Sequence, residues 1–312
     1  MNVLFDPTVL FFVLGIFVGL FKSSVSVPAQ ISKFLGIYLL VALGVKCGVS
    51  VSNSSFNTQT VFIAVIGLLA LIISSVGYML FRKFFERSHT TAASAVCESI
   101  SPVTLVVAFQ YLILNGTEFS GTLATVVTLI EGPAIIISVA LVSLWCTGRV
   151  SGLKGVARES FTDKTFLLLL LGLVIGFVTD RAGVHRLEPL TIDIFKWVLA
   201  FILLDMGLRV AERFPALRGK SSVLLSYAIA APVCCSLLVL VACELAGISD
   251  GDTILLMALA GGASYTTVPF VIRNTGSVIG AQVHHTLTLC LSFPFNILIG
   301  IPLYAQIVHR LN

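Results

Sequence analysis

Val9–Phe21 reads VLFFVLGIFVGLF and Phe166–Val178 reads FLLLLLGLVIGFV, so that Gly172 and Gly176 stand 157 residues after Gly15 and Gly19. Further echoes lie to either side of this pair. Gly44-Val45-Lys46 is answered by Gly207-Leu208-Arg209 at an offset of 163, and Ser99-Ile100-Ser101 by Ser264-Tyr265-Thr266 at 165. Pro133 is answered by Pro294 at 161. The offset drifts by a few residues only, as loop insertions between equivalent spans would make it. The chain is therefore read as two copies of one unit.

Composition says what kind of unit. Of 312 residues, 57% are hydrophobic and 11% charged, against about a quarter charged in a soluble domain. The mean hydropathy is +1.04. These values exclude a secreted disulfide scaffold, a disordered chain and a nucleic-acid binder, and imply a polytopic protein whose first partner is the lipid bilayer. The net charge of +4 is scattered over loops, with no basic block to hold a polyanion. The seven cysteines (Cys47, Cys97, Cys146, Cys234, Cys235, Cys243, Cys290) lie in or beside apolar runs without CxxC or Cys/His metal spacing. They read as small buried hydrophobes. No basic stretch and no small-residue cleavage site precede the first apolar run, which is expected to be a retained span.

Crossing about 30 Å of hydrocarbon takes roughly 20 apolar residues as a helix. That ruler gives ten segments, at about 4–21, 29–47, 58–81, 90–113, 120–147, 165–180, 189–209, 220–247, 251–274 and 279–308. With the N-terminus outside, 14 of the 19 Lys and Arg residues fall on the cytoplasmic side and 5 on the other. The excess of positive charge inside therefore predicts both termini outside, in a plasma (inner) membrane. Residues 1–147 form the first five-helix repeat, 148–164 a cytoplasmic linker and 165–312 the second repeat. Five is odd, so the second repeat is inverted relative to the first.

The fourth and ninth segments are interrupted. One reads Ala95-Val96-Cys97-Glu98-Ser99-Ile100-Ser101-Pro102-Val103-Thr104, the other Ala260-Gly261-Gly262-Ala263-Ser264-Tyr265-Thr266-Thr267-Val268-Pro269. Proline lacks an N–H and clashes with the preceding turn, so each run frees backbone groups at membrane depth. Such groups survive only where they line protein or a water-filled cavity. A half-helix that starts after a break points N–H donors and a positive dipole end at an anion. Ser99, Ser101, Thr104, Ser264, Thr266 and Thr267 add hydroxyls, and carbonyls at the other half-helix ends suit a small cation such as sodium. A single kink of this kind is as easily structural as functional. Two at matching places in matching repeats point to the substrate site of a secondary transporter.

Three carboxylates lie within apolar segments, where a charge costs roughly 2.5–3.5 kcal/mol. Glu131, two residues before Pro133, reads as a cation-coordinating or charge-balancing group, with Asn296 offering a neutral amide in the counterpart run. Glu98 borders the first break, where it could bind a cation or oppose an anion. Asp205 stands four residues from Arg209, the spacing of an intrahelical ion pair. His284 and His285 read as interfacial structural residues. No Walker motif, glycine-rich nucleotide loop, nucleophile elbow or HExxH is present, so neither ATP-driven pumping nor hydrolysis has visible machinery, and no enzyme is implied.

At these residues the chain resembles the sodium-dependent bicarbonate transporter family, the SbtA-type permeases. The resemblance runs through residues 99–104, 129–135, 206–208 and 262–269, and is most specific in Ser292-Phe293-Pro294-Phe295-Asn296 and the run on to Tyr304. It implies an all-α protein with ten transmembrane helices as a 5+5 inverted repeat, the two broken helices crossing near the substrate. It also implies sodium as coupling ion, bicarbonate as substrate, a homotrimer and, in some members, a PII-like cytoplasmic regulator. Ser99, Ser101, Thr104, Ser264 and Thr266 fall on the family's broken-helix motifs, and Glu131 where an acidic residue precedes the proline. Glu98 departs from the pattern by replacing a small neutral residue, and Pro102 is a second local change. Beside sodium-coupled uptake of a small anion, two alternatives fit the same residues. One is a cation/proton antiporter with Glu98 or Glu131 cycling its proton, the other an anion-binding sensor or channel without coupling.

Overall fold

A computed structural model describes residues 6–21, 25–52, 60–69, 101–120, 164–179, 189–262 and 285–311, with single positions at 123, 126, 162, 183, 186, 187 and 283. The described residues are all-helical. In chain order the helices are α1 (Pro7–Leu20), α2 (Ala29–Ser52), α3 (Thr60–Leu69), α4 (Pro102–Leu114) and α5 (Lys164–Val178). They continue with α6 (Ile194–Arg213), α7 (Ser222–Ala246), α8 (Asp250–Gly261) and α9 (His285–Leu311). Among the described residues α2, α7 and α9 are long and apolar enough to cross a membrane. Large apolar side chains such as Leu14, Phe17, Phe177, Leu238 and Val241 stand exposed on helix faces. Such patches are rare on soluble monomers and mark a membrane protein. Most of the fifth segment, the linker at 148–164 and the second half of the ninth segment lie outside the described residues.

The chain divides into two compact units, Met1–Asn57, Ser120–Leu129 and Thr162–Pro215 in one, and Thr58–Phe119, Ile130–Phe161 and Ala216–Asn312 in the other. Each unit draws on both halves of the sequence, so a repeat and a compact unit are different objects here.

In the first unit α1 packs along α6, and α2 along α5. The contacts are made by glycines because lipid offers helices little hydrophobic reason to associate, and close backbone approach supplies the attraction. A Cβ on Gly15 would sit 3.1 Å from the Gly207 Cα, and one on Gly44 3.1 Å from the Gly172 Cα. Gly19 follows against Leu208 and Ala211, and Gly48 against Leu173 and Phe177. Residue numbers rise together in both pairs, so α1 runs parallel to α6 and α2 parallel to α5. Phe11 meets Phe201 edge-on at 5.9 Å, and the Lys46 ammonium lies 5.8 Å from the Phe195 ring centroid. A π-helical turn at Pro189–Asp193 leads into α6, and its Leu190 carbonyl accepts from the Tyr38 hydroxyl of α2. Arg209 Nε donates to Asp205 Oδ2 at 3.0 Å, the ion pair expected from their spacing.

In the second unit α8 is buried along its whole length and touches α4, α7 and α9. The α9 helix widens into π-helical turns at Thr288–Ser292 and Asn296–Gly300. Pro294 sits between them, with no N–H to continue a regular ladder. Ser292 Oγ donates to the Ala228 carbonyl at 2.7 Å and ties α9 to α7.

Candidate functional site

The first break is a helix start. Ser101 adopts an extended conformation (φ −93°, ψ 110°) and caps α4, its hydroxyl accepting from the Thr104 N–H at 3.3 Å. Pro102 takes the first helical position, where its fixed φ suits the helix and its missing N–H breaks no ladder bond. Pro102 thus stands at the start of the half-helix expected to follow the break. Ser101 and Thr104 are both buried. The Thr104 hydroxyl has no hydrogen-bond partner among the described residues.

The second break is a helix stop. Gly262 follows α8 in an extended conformation (φ −66°, ψ 135°), and its N–H turns back to the Leu259 carbonyl at 3.1 Å. The regular bond to Ala258 is thereby not made. The helix stops at the Gly261-Gly262 pair, seven residues before Pro269, the residue blamed for the break from sequence. Glycine fits closely at 262, where a Cβ would stand 3.1 Å from the Leu259 oxygen and 3.2 Å from the Ala258 oxygen, closer than is comfortable.

These two ends meet. The same point beside Gly262 lies 3.7 Å from the Ser101 amide nitrogen, while at the other end of the pair Gly251 backs onto the Glu118 carbonyl. Thus α4 and α8 run antiparallel, with the amino end of one beside the carbonyl end of the other. The partial positive charge of the α4 amino end and the partial negative charge of the α8 carbonyl end are concentrated within one small region. Such a region offers donors to an anion and oxygens to a cation side by side.

Asn296 stands behind the carbonyl end. Its side-chain amide donates to the Gly261 carbonyl, and its Oδ1 accepts from the Tyr304 hydroxyl at 3.2 Å. The Ser236 hydroxyl lies 2.8 Å from the Met257 carbonyl of α8 and 2.9 Å from the Pro232 carbonyl of its own helix. Of the residues predicted for the site, Ser101, Thr104 and Asn296 are thus gathered at the meeting of α4 and α8. Ser99, Glu98, Glu131, Ser264, Thr266 and Thr267 lie outside the described residues. Ser236, Gly262 and Tyr304 were not among the predicted site residues. The signals were present: Ser236 follows Pro232 by four, the spacing of a back-bonding hydroxyl, and Tyr304 ends the 292–304 run.

Two opposed half-helix ends joined within a buried polar cluster are the parts of a transporter site, and comparison with known families bears on which transporter. The family model of the Na⁺-dependent bicarbonate transporter superfamily matches residues 7–309. The chain belongs to this superfamily. Comparison with curated proteins found no match. As a member of a Na⁺-dependent bicarbonate transporter superfamily the chain is a membrane transporter and not an enzyme. The match covers both glycine-packed helix pairs of the first unit and the whole of the α4–α8 meeting point.

Proposed function

We propose that the protein couples the inward flow of sodium to uptake of bicarbonate, or a similarly small anion, across the plasma (inner) membrane. The observation that carries this reading is the juxtaposition of the α4 amino end with the α8 carbonyl end, where the Ser101 amide and the Ala258 and Leu259 oxygens surround one point. The anion is assigned to the α4 side, with Ser101 and Thr104 as donors, joined by Ser99, Ser264, Thr266 and Thr267. The cation is assigned to the α8 carbonyl side, with Asn296 behind it and Glu131 and Glu98 as charge-balancing groups. Sodium beside the anion lowers the cost of holding each charge away from water.

The glycine contacts support a 5+5 inverted repeat of residues 1–147 and 165–312 about a linker. Gly15 on Gly207 and Gly172 on Gly44 are one contact made twice with the roles of the halves exchanged. The connection from α1 to α2 is short, so these two spans cross in opposite directions. Since α5 runs with α2, it runs against α1, its counterpart in sequence. Homotrimeric assembly and a PII-like cytoplasmic regulator belong to the same proposal on family membership.

The test is uptake of radiolabelled bicarbonate into proteoliposomes with and without an inward sodium gradient. Accumulation above equilibrium that requires the gradient is the expected result. Uptake that equilibrates regardless of sodium would make the protein a channel, and proton release on sodium binding would make it an antiporter.

A further inference from the structure

Three side chains from two helices converge on the last residue of α8. A Cβ on Gly261 would lie 2.6 Å from Ser236 Oγ, 2.8 Å from Tyr304 Oη and 3.2 Å from Asn296 Oδ1. All three side chains are buried; Tyr304 donates to Asn296 and Asn296 to the Gly261 carbonyl, while the Ser236 hydroxyl stands between the Met257 and Pro232 carbonyls. The last turn of a helix ordinarily has four carbonyls without intrahelical partners. Here Asn296 binds one of those four, the Gly261 carbonyl, and Ser236 reaches the Met257 carbonyl one turn earlier, so the two contacts bracket Ala258 and Leu259, whose oxygens lie toward Ser101.

The shape of α9 brings the clamp together. In a regular helix of 3.6 residues per turn, residues eight apart lie about 80° off one line. The π-helical turn at Asn296–Gly300 is wider, with i→i+5 bonds, and removes most of that angle. Asn296 and Tyr304 are thereby placed on one face. Gly300 within that turn leaves room for the pair, since a Cβ there would stand 2.7 Å from Asn296 Oδ1 and 3.3 Å from Tyr304 Oη.

We infer that Ser236, Asn296 and Tyr304 are positioning residues, a hydrogen-bonded clamp that fixes the carbonyl end of α8 in the geometry that sets affinity for the coupling cation. Asn296 acts through its N–H on the Gly261 backbone, and its oxygen is oriented by Tyr304. This inference rests on the sodium-coupled reading above and adds to it what holds the cation-binding end in shape. Ala258 and Leu259 present their oxygens because their neighbours on either side are held.

Asn296→Asp separates a positioning role from a ligand role. Aspartate keeps the oxygen that Tyr304 binds and adds negative charge, but loses the N–H and sets a carboxylate against the Gly261 carbonyl. A positioning Asn296 predicts that both Asn296→Asp and Asn296→Ala raise the sodium concentration for half-maximal bicarbonate uptake at least tenfold. Tyr304→Phe and Ser236→Ala, which remove only a hydroxyl, should each raise it about three- to fivefold with little change in maximal rate. Asn296→Asp with sodium affinity equal to or above the wild type would overturn the inference and make Oδ1 a cation ligand. Unchanged sodium affinity in Tyr304→Phe would overturn it as well, and decides the matter should the Asn296 variants fail to fold. Wild-type protein without sodium-dependent uptake would instead reject the functional reading itself, and the inference with it.

Discussion

A buried hydroxyl with nothing to bond is costly, by about 1–3 kcal/mol, and among the described residues the Thr104 hydroxyl at the amino end of α4 has no partner. On the proposed reading the bound anion completes it. Thr104→Val keeps shape and removes the hydroxyl, so it separates folding from binding. The thermal midpoint in detergent is expected to stay the same or rise, while the KM for bicarbonate increases roughly 10- to 100-fold, as loss of a hydrogen bond to a charged group implies. A lowered midpoint with unchanged KM would make Thr104 a structural residue. Ser101→Ala is a blunter probe, because its hydroxyl also caps α4 and the loss costs about 1 kcal/mol of helix stability in its own right. Ser101 and Thr104 were legible in the sequence because hydroxyls beside a proline at membrane depth have few other reasons to be there. Ser236 and Tyr304 were not, because each lies on a separate span and only the tertiary fold brings it to Gly261.

Glycine decides how the helices of the first unit meet, and the effect is specific to position. On α2, a Cβ at Gly44 would press on the Leu169 carbonyl at 2.5 Å, whereas one at Gly36 meets nothing within 4 Å. Alanine therefore has opposite consequences at two places on one helix. Gly36→Ala should raise stability by about 0.5–1 kcal/mol through backbone entropy. Gly44→Ala should lower it by about 1–3 kcal/mol through overpacking against backbone that cannot turn aside. Thermal unfolding of the two variants in detergent reads the difference, and equal midpoints would remove the close contact as the source of packing. The repeated Gly-x-x-x-Gly at 15–19 and 172–176 announced close helix contacts, but their partners could not be named from it. Which helix lies opposite is set by the whole bundle. The stop of α8 at Gly261 escaped the sequence reading for a different reason. Proline is the conspicuous breaker, and the amide of Asn296 that binds the Gly261 carbonyl comes from a distant part of the chain and leaves no local mark.

At the scale of the molecule, parallel packing gathers basic residues of the first unit at one set of helix ends. Because α1 runs with α6, their C-terminal ends lie on one side. The chain beyond those ends carries Lys22 in one case and Arg218 and Lys220 in the other, with Arg209 and Arg213 in the last turns of α6. Because α2 runs with α5, their N-terminal ends also share a side, and these begin near Lys33 and at Lys164. The short link from α1 to α2 makes it the same side for all four ends, and on the proposed orientation the bias of Lys and Arg makes that side the cytoplasmic one. On the proposed orientation, with the termini outside, the chain enters α7 from the cytoplasm near Ser222 and leaves it on the outside near Gly247. In a cysteine-free background, a membrane-impermeant thiol reagent applied to intact cells should label a cysteine at Ser249. A cysteine in place of the exposed Arg218 should be labelled only after the membrane is opened. Both positions lie in connections between helices, so neither substitution disturbs a packed face. The opposite pattern would invert the molecule in the membrane. Labelling of both from outside would break the assignment of α7 as a span, and with it the proposed inverted repeat of five crossings each.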